Sequence, residues 1–321
     1  MNNINKPVLL IGGSGVVGKW VTRHLRSLLP DLPIVIGGRN LNKAEEIANE
    51  IGNASAVTID LTREDLGLTH EQFSSIGVFF RDKTFNIQKF AQNKHIPFVA
   101  ITGSIPVMGE DMATYVYGPQ ASPVVFASHW MAGISIILAI EDAKKFKTID
   151  NISMVANYDM ADEGGVTMEE MEDLFPSSLA PMVVKDGIWK WELAQEAAEG
   201  VEQELPATSV VDILSLGLAT EAKAARFVLT YDDSPGTKAG NSASHTVTTE
   251  LRGEKADGTS TTIRREIEAP QGQAYLVGLG AAIVMEQLLV QKLKPGVYFP
   301  EKFITAEIIE TRLKEYGVEF K

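Results

Sequence analysis

The chain has 321 residues, of which 45% are hydrophobic and 22% charged, and it contains no cysteine. This length suggests two domains, or one domain with a large appendage, since a domain typically has about 150 residues. The formal net charge of −13 disfavours nucleic acid and anionic membranes as partners. The absence of cysteine excludes disulfides, a thiolate nucleophile and Cys-ligated zinc, and it agrees with a reducing cytoplasmic location.

The hydropathy of the sequence predicts no membrane-spanning segment. The longest apolar runs, such as residues 134–140, are far shorter than the about 20 residues that a spanning helix needs. The apolar stretch after Lys6 gives way to glycines and then to charged residues. We therefore interpret it as a first strand rather than as a secretory leader, and we expect a cytoplasmic protein whose partner is a small molecule.

Residues 7–25, PVLLIGGSGVVGKWVTRHL, predict a buried strand, a glycine turn and a helix. Glycines at this place allow the backbone to approach the pyrophosphate of a dinucleotide, while the positive end of the helix faces its charge. The alternative is a tight strand-to-helix turn in an α/β domain that binds no nucleotide. The residues that we expect to contact the cofactor here are Gly12, Gly13, Ser14, Gly15, Val16, Val17 and Gly18.

The second strand, residues 34–36, ends at the segment Gly37-Gly38-Arg39-Asn40. An NAD-selective site usually has Asp or Glu at this point, which accepts hydrogen bonds from the ribose 2′-hydroxyl. Arg39 instead suits a 2′-phosphate, because a guanidinium forms charge-assisted hydrogen bonds with it. Lys43 supplies a second positive charge. The sequence therefore favours NADP (NADPH) over NAD, with Arg39, Asn40 and Lys43 as binding residues; the alternative is that these are solvated residues at a helix start.

The later strands of this domain end in further candidates. Strand three, residues 56–59, is followed by Asp60 and Leu61, which we expect to hold the adenine. Ligands of parallel sheets lie beyond the carboxyl ends of the strands. We therefore expect the nicotinamide near the residues that follow strands four, five and six, namely Arg81, Thr102, Ser104 and residues 128–133.

The pattern changes after residue 133. The runs 244–253 and 260–268 alternate polar and apolar residues around Asp257-Gly258, which predicts an antiparallel hairpin. The predicted fold class is α/β. An N-terminal Rossmann domain, a doubly wound parallel sheet, covers residues 1–133, and the helices within 274–321 pack back on it. A second α+β domain with an antiparallel or mixed sheet covers residues 134–273, for substrate binding and dimerisation.

Four segments together resemble the saccharopine dehydrogenase-like oxidoreductases. They are IGGSGVVGKWVTRHL, GGRNLNKAEEIA, PVVFASHWMAGISIILA and KPGVYFPEKFI. The resemblance implies that the N-terminal domain binds NAD(P) and that the later domain contributes substrate contacts and a homodimer interface. It also implies hydride transfer at a C–N bond between an amino acid or amine and a keto acid or aldehyde.

Two segments depart from the family pattern near the expected nicotinamide. Strand four of such proteins commonly ends in small residues, whereas this chain has Phe79-Phe80-Arg81-Asp82. After strand six, His129-Trp130 stands where the relatives have glycine and smaller groups. This chain would then bind the cofactor as the family members do but act on a different substrate.

The sequence does not identify the catalytic residue. His129 is one candidate, because imidazole titrates in the range useful for acid–base catalysis; the alternative is a hydrogen-bonded structural histidine. Tyr158 and Asp159 are further candidates, and no metal site is predicted. The acidic segment 159–173 is either a glycine-hinged lid that attracts a cationic substrate or a solvated helix face.

We interpret the chain as an NADP-dependent oxidoreductase that acts on a C=N or C=O group of a small amino-acid-like or keto-acid-like metabolite. One alternative is a catalytically silent NADP-binding sensor or scaffold, because a Rossmann domain indicates binding rather than turnover. Another is an atypical short-chain ketoreductase, which would lack the antiparallel second domain.

Overall fold

The computed structural model describes residues 6–68, 72–101, 103, 105–164, 181–191 and 210–321. The chain divides into two compact units. The first unit comprises Met1–Ser128 and Val277–Phe303, and the second comprises His129–Leu276 and Ile304–Lys321.

The described strands are, in chain order, β1 (Val8–Ile11), β2 (Ile34–Gly38), β3 (Ala54–Thr58), β4 (Ser75–Val78), β5 (Phe98–Ala100), β6 (Pro123–Phe126), β7 (Thr148–Tyr158), β8 (Met182–Lys185), β9 (Ile188–Trp191), β10 (Ala224–Tyr231), β11 (His245–Glu254), β12 (Ser260–Ala269), β13 (Gly296–Tyr298) and β14 (Glu319–Phe320). The described α-helices are α1 (Val16–Leu28), α2 (Leu41–Ile51), α3 (Asn86–Asn93), α4 (Ile105–Tyr117), α5 (Ile134–Ala143), α6 (Val211–Thr220), α7 (Pro235–Lys238), α8 (Gln273–Val290) and α9 (Ala306–Glu315). Short 3₁₀ helices occupy Trp130–Gly133 and Pro300–Lys302.

The first unit contains a 7-stranded parallel sheet in the order β13-β6-β5-β4-β1-β2-β3. All residues of β1, β4, β5 and β6 are buried, as expected for central parallel strands that helices cover on both faces. The chain leaves β1 toward β2 on one side and later returns to β4 on the other. Strand order therefore reverses at β1, and in parallel sheets dinucleotides bind at the carboxyl ends of the strands at such a switch point, here β1 and β4.

The second unit contains a mixed sheet in the order β14-β12-β11-β7-β10-β8-β9. β7 and β10 are parallel, and the other neighbours are antiparallel. The predicted hairpin is β11 and β12, and Gly258 in its turn has a φ of +85°. The predicted fold class, a Rossmann-type parallel sheet and a second unit with a mixed sheet, is therefore confirmed.

The C-terminal helices differ from the sequence prediction, in which both pack on the first domain. Residues Ile304–Lys321 lie in the second unit instead. Their helix α9 buries Ile309 and Leu313, and an ion pair of 3.3 Å joins Arg265 Nη1 of β12 to Glu310 Oε1. The hydrophobic pattern of α9 predicts a buried face but does not reveal which unit covers it.

Helix α8 is long and apolar enough to cross a membrane by length and composition alone, which the sequence analysis missed. However, 78% of it is buried inside the protein, as in a core helix. Its small residues permit close packing in the first unit: a Cβ built on Gly278 would lie 2.4 Å from Trp20 Cβ of α1.

Candidate functional site

The glycine turn between β1 and α1 closes on itself through backbone hydrogen bonds. Gly12 N–H donates to the Gly37 carbonyl of β2 at 2.8 Å, and Gly15 N–H donates to the Gly12 carbonyl at 2.9 Å. Gly12 has a φ of +81°, in the left-handed region that favours glycine. The turn is thus fixed against β2 and leads directly into α1.

Gly18 allows α1 to pack directly on this turn. A Cβ built on Gly18 would lie 1.9 Å from the Gly12 carbonyl oxygen and 2.8 Å from Gly13 Cα, so no other residue fits without a backbone shift. The Thr22 hydroxyl, one turn further along the helix, donates to the Gly13 carbonyl at 3.1 Å. These contacts match the close helix–strand packing that the third glycine of a dinucleotide-binding turn provides.

The first turn of α1 is suited to an anion. Gly15 is the N-cap, no side chain caps the helix, and the first turn has no acidic residue. The first N–H groups of a helix lack intrahelical partners, and its dipole attracts negative charge. Gly15 is exposed, and Ser14, Val16 and Val17 are half-buried, so the approach is open. The residues predicted from the sequence therefore lie together in a cradle that fits a diphosphate.

The residues predicted to recognise a 2′-phosphate follow β2. Arg39 and Lys43 are exposed, and neither forms an ion pair with any residue in the described part of the chain. Asn40 has a local role as the N-cap of α2, because its side chain accepts from Lys43 N–H at 3.2 Å. A Cβ built on Gly38 would lie 3.9 Å from Ser14 Oγ, so the end of β2 borders the turn.

Asp60 and Leu61, predicted to hold the adenine, organise the loop after β3. Asp60 Oδ1 accepts from Thr62 N–H at 2.9 Å and from Thr62 Oγ1 at 2.6 Å. These hydrogen bonds lower the pKa of Asp60 below its usual value. The Leu61 carbonyl accepts from Asn86 Nδ2 at 2.8 Å. Both residues thus have structural partners, and their contact with adenine stays a prediction.

The segment after β4 was predicted to lie near the nicotinamide. Arg81 Nη2 lies 2.8 Å from Glu110 Oε2 of α4, so its charge has a carboxylate partner. Phe79 N–H donates to the Ile11 carbonyl at 3.2 Å, and the ring of Phe80 lies against Gly12. Thr102 and Ser104, predicted for the same region, lie outside the described residues.

His129, the first catalytic candidate, is buried in the second unit with 3% of its surface exposed. Its Nε2 atom lies 2.8 Å from Ser215 Oγ. The next residue, Trp130, donates its backbone N–H to Asp212 Oδ2 at 2.7 Å and its indole Nε1–H to His245 Nε2 at 3.0 Å. Burial lowers the pKa of His245 to about 3, which keeps its ring neutral. His129 therefore belongs to a buried polar network.

The backbone next to His129 has a conformation that sequence reasoning missed. Met131, Ala132 and Gly133 have φ values of 59°, 51° and 97°, so three consecutive residues are left-handed. Both non-glycine residues are buried. Such conformations cost free energy in non-glycine residues and persist only where surrounding contacts impose them. Only Gly133 could have signalled this turn in the sequence.

Asp159, another catalytic candidate, is a structural carboxylate. It accepts from Ala161 N–H at 2.8 Å, from Ser234 N–H at 2.8 Å and from Thr237 Oγ1 at 2.5 Å. The Thr237 hydroxyl and the backbone donors hold the pKa of Asp159 far below its usual value. With these partners the carboxylate holds Ser234 and Thr237 at the start of α7, and a catalytic role for Asp159 stays a prediction.

Tyr158 precedes Asp159 at the end of β7. Its ring lies 5.7 Å from that of Tyr231, its register partner on β10. Burial and the negative charge of Asp162 raise the pKa of Tyr158, so its hydroxyl stays protonated near neutral pH. The acidic segment predicted as a lid continues into residues 165–173, which lie outside the described residues.

Comparison with known proteins gives no match to any protein-family model or curated sequence. Solved structures do match over nearly the whole chain. Apo saccharopine dehydrogenase (L-Glu forming) from Saccharomyces cerevisiae superposes with a TM-score of 0.67 at 14% identity, covering 99% of both chains. A myo-inositol dehydrogenase from Corynebacterium glutamicum gives 0.51 at 15% identity over 98% of both chains. A meso-dapdh mutant with DAP from Clostridium tetani gives 0.51 at 10% identity, covering 96% of this chain and 98% of that one.

These matches confirm the resemblance inferred from the sequence at the level of the fold. The chain has the fold of this saccharopine dehydrogenase, and the two other structures match it at a lower TM-score. At these identities the similarity defines the architecture only. The substrate has to be inferred from the residues of the site.

Proposed function

We propose that this chain is an NADP-dependent oxidoreductase of the saccharopine dehydrogenase-like type. It transfers hydride between NADP(H) and a C=N or C=O group of a small amino-acid-like or keto-acid-like metabolite. The observation that carries the proposal is the uncapped glycine turn after β1, together with Arg39 after β2, which has no ion-pair partner among the residues that the structure describes.

The bound cofactor supplies the hydride chemistry, and the protein supplies binding and orientation. The N–H groups of the turn and of the first turn of α1 bind the diphosphate. Arg39 binds the 2′-phosphate through charge-assisted hydrogen bonds, and Lys43 adds a second cation. An unpaired guanidinium is suited to this role, because it has no carboxylate to release before it binds a phosphate.

One observation supports the alternative of a catalytically silent NADP-binding sensor: two of the catalytic candidates are already engaged in other contacts. Of the catalytic candidates, Asp159 has its oxygens bonded to three donors and His129 lies in a buried network. If the chain is an enzyme, catalysis would then depend on the cofactor and on how the protein positions the substrate, and Tyr158 is the candidate proton donor. The mixed second sheet gives no support to the atypical short-chain ketoreductase.

The test is oxidation of NADPH, followed by absorbance, across a panel of keto acids with and without ammonium or amino acids. Substrate-dependent oxidation supports the enzyme. Tight NADPH binding without turnover on any member of the panel supports the sensor. Absence of NADPH binding contradicts both readings.

From the resemblance we further propose that the protein is a homodimer. From the absence of cysteine we propose a cytoplasmic location. Light scattering tests the first: a mass near twice that of the chain supports it, and a monomer at micromolar concentration contradicts it.

A further inference from the structure

The ring of Phe80 lies against the glycine turn. A Cβ built on Gly12 would lie 2.9 Å from Phe80 Cδ1 and 3.3 Å from Cε1. The ring therefore occupies the space that a side chain at position 12 would fill. The φ of +81° at Gly12 also favours glycine, so two independent restrictions coincide at this residue.

The first sheet holds Phe80 in this place. β1 and β4 are parallel with Ile11 opposite Val78, and Phe79 N–H donates to the Ile11 carbonyl at 3.2 Å. The next residue, Arg81, is joined to Glu110 on α4 at 2.8 Å. The sheet hydrogen bond of Phe79 and the ion pair of Arg81 flank Phe80, whose half-buried ring lies at the carboxyl end of β4.

This position lies on the opposite side of β1 from Arg39. β2, which leads to Arg39, pairs with one edge of β1, and β4, which leads to Phe80, pairs with the other. A dinucleotide whose 2′-phosphate lies at the β2 side and whose diphosphate lies on the turn extends its other half toward β4. That half carries the nicotinamide.

We propose that Phe80 is a binding residue for the nicotinamide half of the cofactor and forms the apolar wall against which this half packs. The inference rests on the proposed function. Nicotinamide is a flat heteroaromatic ring, and contact with an aromatic side chain contributes about tenfold in affinity. Phe80 would then hold the redox-active end of the cofactor, which contacts neither the glycine turn nor Arg39.

Two ligands separate the two halves of the cofactor. NADPH contains both halves, whereas adenosine 2′,5′-bisphosphate contains the adenosine and the 2′-phosphate without nicotinamide. Calorimetry should show that Phe80→Ala raises the Kd for NADPH about tenfold and leaves the Kd for the bisphosphate unchanged. Phe80→Leu, which keeps apolar packing against Gly12, should show a smaller loss for NADPH. The emission of bound NADPH should shift toward that of free NADPH in Phe80→Ala.

Tyr117→Ala is the matched control, because Tyr117 is an aromatic residue of the same unit that is 93% exposed. It should change neither Kd, and circular dichroism and thermal unfolding verify that each variant is folded. An unchanged or lower NADPH Kd in both Phe80 variants overturns the inference, since the ring would then be neutral or obstructive. Equal losses for both ligands in Phe80→Leu also overturn it, because the ring would then only support the turn. If the unmodified protein binds neither ligand, the proposed function itself fails.

Discussion

Gly18 and Gly12 approach each other so closely that a Cβ on Gly18 would lie 1.9 Å from the Gly12 carbonyl oxygen. This contact joins the first turn of α1 to the end of β1 and thereby places the helix N-terminus at the carboxyl end of β1. The proposed cofactor site depends on that approach, and Gly15 lies between the two glycines.

Gly15→Val should abolish binding of NADPH and NADH while the protein stays folded. Gly15 is exposed and a Cβ there would lie 3.2 Å from the Gly12 carbonyl oxygen, so small adjustments accommodate it. The branched side chain would instead occupy the approach of the diphosphate to the N–H groups. Calorimetry measures binding, and circular dichroism measures the fold. Unchanged affinity in the folded variant would mean that the diphosphate lies elsewhere.

Arg39→Gln should weaken NADPH binding about tenfold to a hundredfold and leave NADH binding nearly unchanged, because only NADPH has the 2′-phosphate that the guanidinium binds. Titrations with both cofactors measure the effect. Arg63→Gln is a suitable control: Arg63 is an exposed arginine of the same unit whose Nη2 atom pairs with Asp65 at 2.7 Å, and it should change neither affinity. Equal losses for NADPH and NADH would remove Arg39 from its proposed role.

His129→Gln should reduce the free energy of unfolding by about 1–3 kcal/mol and leave the Kd for NADPH unchanged, because His129 contributes a buried hydrogen bond to Ser215. Denaturant unfolding and calorimetry measure the two quantities. Ser215→Ala removes the same bond from the other side and should cost a similar amount. A variant that keeps its stability but loses turnover would support His129 as a catalytic residue.

Stability should fall as pH decreases from about 6.5 toward 5, partly because of His245. The folded pKa of this histidine is about 3, whereas an unfolded histidine titrates near 6.5. The unfolded state then binds the proton first, so this contribution is complete above pH 6.5 and declines by about 1.4 kcal/mol per pH unit below it. Urea unfolding at several pH values measures the slope.

The pH slope between 7.5 and 5 should be shallower in His245→Asn, while His95→Asn, which changes an exposed histidine, should keep the slope of the unmodified protein. Identical slopes in all three proteins would show that folding does not lower the pKa of His245.

Local patterns were sufficient to predict the elements that build the proposed cofactor site. An apolar run, glycines and a helical repeat predicted β1, the turn and α1, and Asp257-Gly258 predicted the β11–β12 hairpin. These elements can be predicted because the sequence requirements act within a few residues: a positive φ, a close approach between two backbone segments, or a turn that matches the twist of its strands.

Contacts between distant residues were not predictable in the same way. The ring of Phe80 against Gly12, the placement of α9 in the second unit and the left-handed turn at Met131 and Ala132 each depend on tertiary packing. Methionine and alanine carry no sequence signal for left-handed backbone, since only their surroundings impose it. For the same reason the three donors to Asp159, from Ala161, Ser234 and Thr237, could not be predicted from the sequence.

The most direct test of the account is a calorimetric titration of the purified protein with NADPH and, in parallel, with NADH. We expect saturable binding of both, with NADPH at least tenfold tighter because Arg39 recognises its 2′-phosphate. Equal affinities, or no heat of binding with either cofactor, would contradict it.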